Sequence, residues 1–137
     1  MASVFRIFYV SRAAAAFDHA SIESILKAAH GRNAALEVTG CLLFSGHCFA
    51  QVLEGPQATV RALARRIAAD PRHTAVRFLA EAHRDEREYA DWTMGYLHDV
   101  SLEDDLETLL MIPERSRAVA ADVMERMRPD PVMGALR

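Results

Sequence analysis

A chain of 137 residues with 16 basic and 19 acidic groups, a net charge of −3 and a pI near 6.0 lacks the positive excess of a simple electrostatic nucleic-acid binder. Its 51% hydrophobic content supports a core of its own, so neither disulfides nor a structural metal is needed for folding. No stretch approaches the length of a membrane span, and the start at Met1-Ala2-Ser3-Val4-Phe5-Arg6 lacks the layout of a signal peptide. Cys41 and Cys48 sit inside apolar runs, as reduced, buried thiols of a cytoplasmic protein do, and the six histidines show no metal-ligand spacing. A soluble cytoplasmic protein that contacts neither membrane nor nucleic acid is expected.

Val4 to Val10 is β-rich, and period two places Phe5, Ile7 and Tyr9 on one face, Val4, Phe8 and Val10 on the other. After an alanine-rich loop, Ser21 is the expected N-cap of a helix striped by Ile22, Ile25, Leu26 and Ala29. Gly31 is expected to end it, leaving Arg32 and Asn33 in the following turn. Leu36 to Phe44 and Cys48 to Leu53 read as a hairpin across Ser45-Gly46-His47. Gly55-Pro56 opens a second helix with the stripe Val60, Leu63, Ala64 and Ile67, which Asp70-Pro71 stops. Val76 to Ala82 and Thr93 to His98 are two further strands, the charged run between them a solvated loop.

This is an α+β chain, a ferredoxin-like β-α-β-β-α-β arrangement with one extra strand and two helices on one sheet face. The first and third strands are expected as parallel central neighbours. Their opposite faces are also apolar and need cover. Ser101-Leu102-Glu103-Asp104, resembling a capping box, precedes Leu102, Leu106, Leu109 and Leu110, and a helix after Pro113 carries Val119, Val123 and Met127. These C-terminal helices serve as that cover, or the face is a subunit interface. The expected division is a domain over 1–98 and a helical extension over 99–137.

Two polar residues interrupt the helix-facing side of the central strands: Tyr9 beside Phe5 and Ile7, Gln51 beside Phe49 and Leu53. An unpaired buried polar group costs about 1–3 kcal/mol, so each needs a partner. They can bond each other, which leaves most of the glutamine amide's capacity open to a polar cofactor. A satisfied core network with no ligand accounts for the same pair.

Five stretches in order resemble the BLUF family, sensors of blue light using flavin. They are Ile7-Phe8-Tyr9-Val10-Ser11, Arg32-Asn33 followed by Val38-Thr39-Gly40, Gln51-Val52-Leu53-Glu54-Gly55, Asp70-Pro71-Arg72-His73 and Asp91-Trp92-Thr93-Met94. The resemblance spans about Val4 to Met94. It implies that Tyr9 gives an electron, coupled to a proton, to the photoexcited flavin, and that Gln51 lies between Tyr9 and the flavin. Asn33 then binds the pyrimidine end of the ring, with Ile25 and Ile67 sandwiching it. Arg66, Asp70, Arg72 and His73 fall around the ribityl-phosphate side, where arginine suits phosphate and which Arg32 could also reach.

Trp92 and Met94 match positions that change exposure as the signal leaves. The implied cofactor is FAD, although FMN suits the same mouth. The implied product is a rearranged Gln51 hydrogen-bond pattern, so the chain is a switch and not an enzyme. Arg32 stands where many members have asparagine, and Ala50 replaces a bulkier residue. The short, stand-alone type implied here is expected to signal to a separate downstream protein and to form a homo-oligomer. Two rival expectations are a flavin-free interaction module and a small acylphosphatase-like enzyme built on Arg32 and Asn33. Against the second, Arg12 and four alanines stand where a glycine-rich phosphate cradle belongs.

Overall fold

The computed structural model describes residues 3–14, 19–112 and 116–129. In chain order these form β1 (Val4–Ala13), α1 (His19–Leu36), β2 (Thr39–Phe44), β3 (Cys48–Gly55), α2 (Gln57–Ala68), β4 (His73–Arg84) and β5 (Gly95–His98). A 3-10 turn (Val100–Leu102) then leads into α3 (Glu103–Met111) and α4 (Ser116–Arg126). The sheet order is β4-β1-β3-β2-β5.

β1 and β3 are central neighbours, but they run antiparallel, with Tyr9 opposite Gln51 and Phe8 opposite Val52. This corrects the parallel expectation. The crossover through α1 makes β1 and β2 run the same way, and the tight hairpin from β2 to β3 then reverses the strand that lies between them. Two antiparallel strands in direct register still project opposed residues to one face, so the Tyr9–Gln51 juxtaposition survives the reversal. Parallel pairing occurs between β2 and β5. β4 is a long edge strand whose pairing with β1 is broken by register shifts, and Ala75 there has φ 54°. Such irregularity discourages edge-to-edge pairing.

Several element ends differ from expectation. α1 runs through Gly31 to Leu36, so Arg32 and Asn33 are helical and not in a turn. Gly31 is exposed with no atom near its missing side chain, and an exposed helix tolerates the roughly 1 kcal/mol penalty of one glycine. The left-handed residue that ends the helix is Glu37, at φ 60°, and β2 starts only at Thr39. Ser21 lies inside α1, which begins at His19. At the other end, Asp99 caps the 3-10 turn by accepting the Ser101 N–H at 3.0 Å, a role expected of Ser101. The hairpin turn is as read: Gly46 sits at φ 119°, and the Ser45 N–H donates to Cys48 O at 3.0 Å. Pro113 lies outside the described residues.

Each sheet face has its own core. On one, Phe5, Ile7, Leu42, Phe49 and Leu53 pack under Ile22 and Ala29 of α1 and Val60 and Leu63 of α2. On the other, Phe8, Val10, Cys41, Leu43, Ala50 and Val52 are covered by Leu102, Leu106 and Leu109 with Val123 and Met127. The C-terminal helices of the same chain therefore cover the second face. Both cysteines are free and buried in it. No described helix is long and apolar enough to cross a membrane.

Candidate functional site

Between α1, α2 and the sheet lies a cavity with an apolar body and a charged mouth. Ile25 and Ala29 enter from α1 and Ile67 from α2, while Leu42, Phe49 and Met94 line it from the sheet side. Arg32, Asp70, Arg72 and His73 also line it. The cavity follows from the fold. Two helices pack on one sheet face, and the small Ala29 lines the space between the stripe of α1 and the strands.

The Tyr9 hydroxyl donates to Gln51 Oε1 at 2.5 Å, with both residues buried. Burial pushes the Tyr9 pKa well above its ordinary value; Arg32 opposes the shift and Asp70 adds to it. The phenol is therefore neutral and a donor. Gln51 Nε2 faces Met94 Sδ at 3.4 Å. A thioether is a weak acceptor, so among the described residues a buried amide nitrogen with two N–H groups has only this poor partner. His73 sits edge-on to Tyr9, held by Ser11 Oγ at 2.8 Å from Nδ1 and by Ile67 O at Nε2.

Asn33 is fully buried in the last turns of α1. Its Nδ2 donates to Thr93 O at 2.8 Å, and its Oδ1 accepts from Arg32 Nε at 3.2 Å. Arg32 is held below the usual guanidinium range by burial and by the nearby charges of Arg66 and Arg72. At the mouth, Arg72 donates its backbone N–H to Asp70 Oδ1 at 2.9 Å, and hydrogen bonds from Arg72 hold the Asp70 carboxyl below the usual carboxylate range. Arg32 and Arg72 both line this opening, and two guanidinium groups there favour an anion.

The structure brings Tyr9, Ile25, Arg32, Gln51, Ile67, Asp70, Arg72 and His73 to one cavity. Asn33 touches its rim through Arg32 and Thr93 instead of lining it. Arg66 is exposed, in a surface groove with Leu36 and Leu63. Trp92 and Met94, expected on one face of the last strand, precede β5 and lie in opposite cores. The chain twists sharply there because the Trp92 ring lies on Gly95, where a Cβ would meet Trp92 Cε3 at 2.0 Å. Met94 thus joins Gln51, while Trp92 packs on Tyr89 at a ring separation of 5.7 Å. The cavity residue Leu42 was not read from sequence, Ala29 was read only as part of the α1 stripe, and Glu54 was given no role of its own. Glu54, a charged residue inside the apolar run of β3, was the signal available for that last one.

A cavity with apolar walls, an underused amide edge and arginines at its mouth fit an aromatic ring system bearing an anionic tail. The comparisons agree. The family model of BLUF, "Sensors of blue-light using FAD", matches residues 4–95. Photoactivated adenylate cyclase subunit beta of Euglena longa is 39% identical over 87 residues, 63% of this chain and 10% of that protein. The blue light- and temperature-regulated antirepressor BluF of Escherichia coli (strain K12) is 48% identical over 52 residues, 38% of this chain and 13% of that protein. The chain thus spans about a tenth of the length of these curated relatives. The dark-state structure of BlrB, a BLUF protein, superposes with a TM-score of 0.76 at 30% identity, over 91% of this chain and 95% of that one. The photo-activated state of BlsA shares the fold at a TM-score of 0.76 and 20% identity, over 93% of this chain and 99% of that one. The chain belongs to the BLUF family, sensors of blue light using FAD.

Proposed function

We propose that this chain binds FAD between α1 and α2 and that the Tyr9–Gln51 pair is its light-driven switch. The observation that carries the reading is the asymmetry of the Gln51 amide: a strong hydrogen bond at Oε1, a feeble one at Nε2. A flavin would supply visible absorption and accept one electron from a neighbouring donor. Tyr9 is the aromatic placed to give it, and its hydroxyl proton has a ready acceptor in Gln51 Oε1. With the proton relayed past Oε1 alongside the electron, the amide would lose the bond that fixes its orientation, and the return of both to Tyr9 would leave the amide in its new arrangement. Rotation exchanges donor and acceptor ends, and the hydrogen bond given up at the far end, among the described residues, is to sulfur. Two arrangements of similar energy separated by a barrier make a switch.

In this reading Asn33, at the rim beside Arg32, holds the pyrimidine end of the ring, Ile25 and Ile67 clasp its faces, and Arg32, Arg72, Asp70 and His73 attend the ribityl-phosphate tail, while Arg66 in its separate groove stays outside the site. FMN would satisfy the same charges. Output passes through Met94, Trp92, β5 and the helical extension over 99–137 to a separate protein. That route is supported by Met94 touching Gln51 while the neighbouring Tyr89 donates its hydroxyl to Met127 O at 3.0 Å.

The test is a visible spectrum of the purified protein before and after a blue flash. A flavin spectrum that shifts slightly to the red and relaxes in the dark is expected. A bound flavin with no shift would overturn the switch, and a protein that refuses added FAD and FMN would overturn the binding site.

A further inference from the structure

Thr93 lies between the two residues that face opposite cores, and α1 grips it twice. Asn33 Nδ2 donates to its carbonyl at 2.8 Å, and His30 Nδ1 shares a hydrogen bond with its Oγ1, also at 2.8 Å. His30 and Asn33 are one turn apart on the same helix face. A third bond, from Gly40 N to Trp92 O at 2.9 Å, fastens the preceding residue to β2. Beyond Thr93 the chain reaches Met94, whose sulfur meets the Gln51 amide. Met94 has therefore little freedom to follow that amide unless Thr93 moves along α1. Of the three bonds, the one from His30 joins two half-buried side chains and involves no main-chain atom, so it can open without disturbing the sheet.

We propose that His30 is a positioning residue: its bond to Thr93 Oγ1 is a latch, closed in the dark state, that returns Met94 to the Gln51 amide. The proposal rests on the photosensor reading above. The latch is open in the illuminated state and re-forms as the dark arrangement is regained. Removing either partner weakens the pull toward the dark state without touching the cavity, since neither His30 nor Thr93 lines it.

The experiment follows the thermal return of the red-shifted absorption in the full chain with its bound flavin. The proteins compared are wild type, His30→Ala, Thr93→Val, the double variant and His30→Asn. His30→Ala and Thr93→Val should each slow recovery by roughly two- to fivefold, the kinetic equivalent of one ordinary hydrogen bond, with the dark spectrum unchanged. The double variant should be no slower than either single one, because both remove the same bond. His30→Asn, which keeps a polar group near the Nδ1 position, should restore much of the rate. Thr93→Val is nearly isosteric and guards against a folding artefact at His30. Unchanged rates, or factors that multiply in the double variant, overturn the latch. A wild type with bound flavin but no light-induced shift overturns the photosensor reading and the latch with it.

Discussion

Gln51 and Met94 meet amide to sulfur: Nε2 stands 3.4 Å from Sδ, while the other end of the same amide accepts the Tyr9 hydroxyl. An amide has two unlike ends of similar shape, so turning it over changes the hydrogen-bond pattern with little change in packing. Leucine fills nearly the same volume with neither end. Gln51→Leu should therefore fold and keep flavin but lose the reversible red shift altogether. The check is a dark and post-flash spectrum of the variant, and a normal photocycle there would sink the role given to Gln51.

Tyr9 should remain a neutral donor well into alkaline solution. Burial is the leading cause of its raised pKa, so the charged form is disfavoured and the hydroxyl stays protonated above the ordinary tyrosine value of about 10. The amplitude of the light-induced shift should accordingly stay level from about pH 7 to about pH 10, wherever the protein is folded. Loss of amplitude with a midpoint near the ordinary value would show that Tyr9 is more open to solvent than its burial implies.

Glu54 is fully buried and works as a staple. Its Oε1 accepts the Tyr89 N–H at 2.8 Å, its Oε2 accepts the Glu88 N–H at 3.1 Å, and Arg6 lies 3.7 Å away. This fixes the segment that leads to Trp92 and Met94. Glu54→Ala strands two backbone donors, although Arg6 keeps Glu88 at 3.1 Å, and should cost about 2–4 kcal/mol. Glu54→Gln keeps one acceptor and should cost less. Denaturant unfolding of the two variants beside wild type measures both numbers; equal, negligible losses would mean that water replaces the carboxylate without penalty.

Much of this was legible from periodicity. Alternation along β1 and β3 placed Tyr9 and Gln51 on one face, and the stripes of α1 and α2 placed Ile25 and Ile67 above them, because side-chain direction is a local property of strand and helix. Strand direction is not local, which is why β1 and β3 were expected parallel: it depends on which strand inserts between which. Nor could alternation follow the chain through residues 92–94, where Trp92 folds back on Gly95 and puts its ring in one core and Met94 in the other. Gly31 misled for a related reason. Glycine ends helices where a left-handed residue is needed, and in this helix Glu37 takes that conformation instead.

The two thiols should be inert in the folded protein. Burial pushes the Cys41 pKa up to about 12, and burial with the nearby carboxylates of Glu107 and Glu103 pushes Cys48 up as well. The thiolate is the reactive form, so neither should react with an aromatic disulfide reagent at neutral pH until the chain is denatured, when both should. Rapid labelling of one thiol in native protein would reveal a local opening of the α3-covered face.

Acid should loosen the contact between α3 and the sheet through Glu107. Its carboxylate is held below the usual range chiefly by the hydrogen bonds from Arg12, the shorter of them 2.6 Å, against a smaller opposing effect of burial. A depressed folded pKa means that the stabilisation is present above the unfolded value, about 4.3, and is lost as pH falls through the folded value. Both side chains are more than a third exposed, so solvent screens the pair and its contribution is small. Glu107→Gln should therefore melt slightly below wild type at pH 7, by a degree or so, and the gap should close below about pH 4 as the wild-type carboxylate takes up its proton. Melting curves of the two proteins across that range decide it. A gap that persists unchanged in acid would mean that Glu107 acts by packing over Cys48 and not by charge.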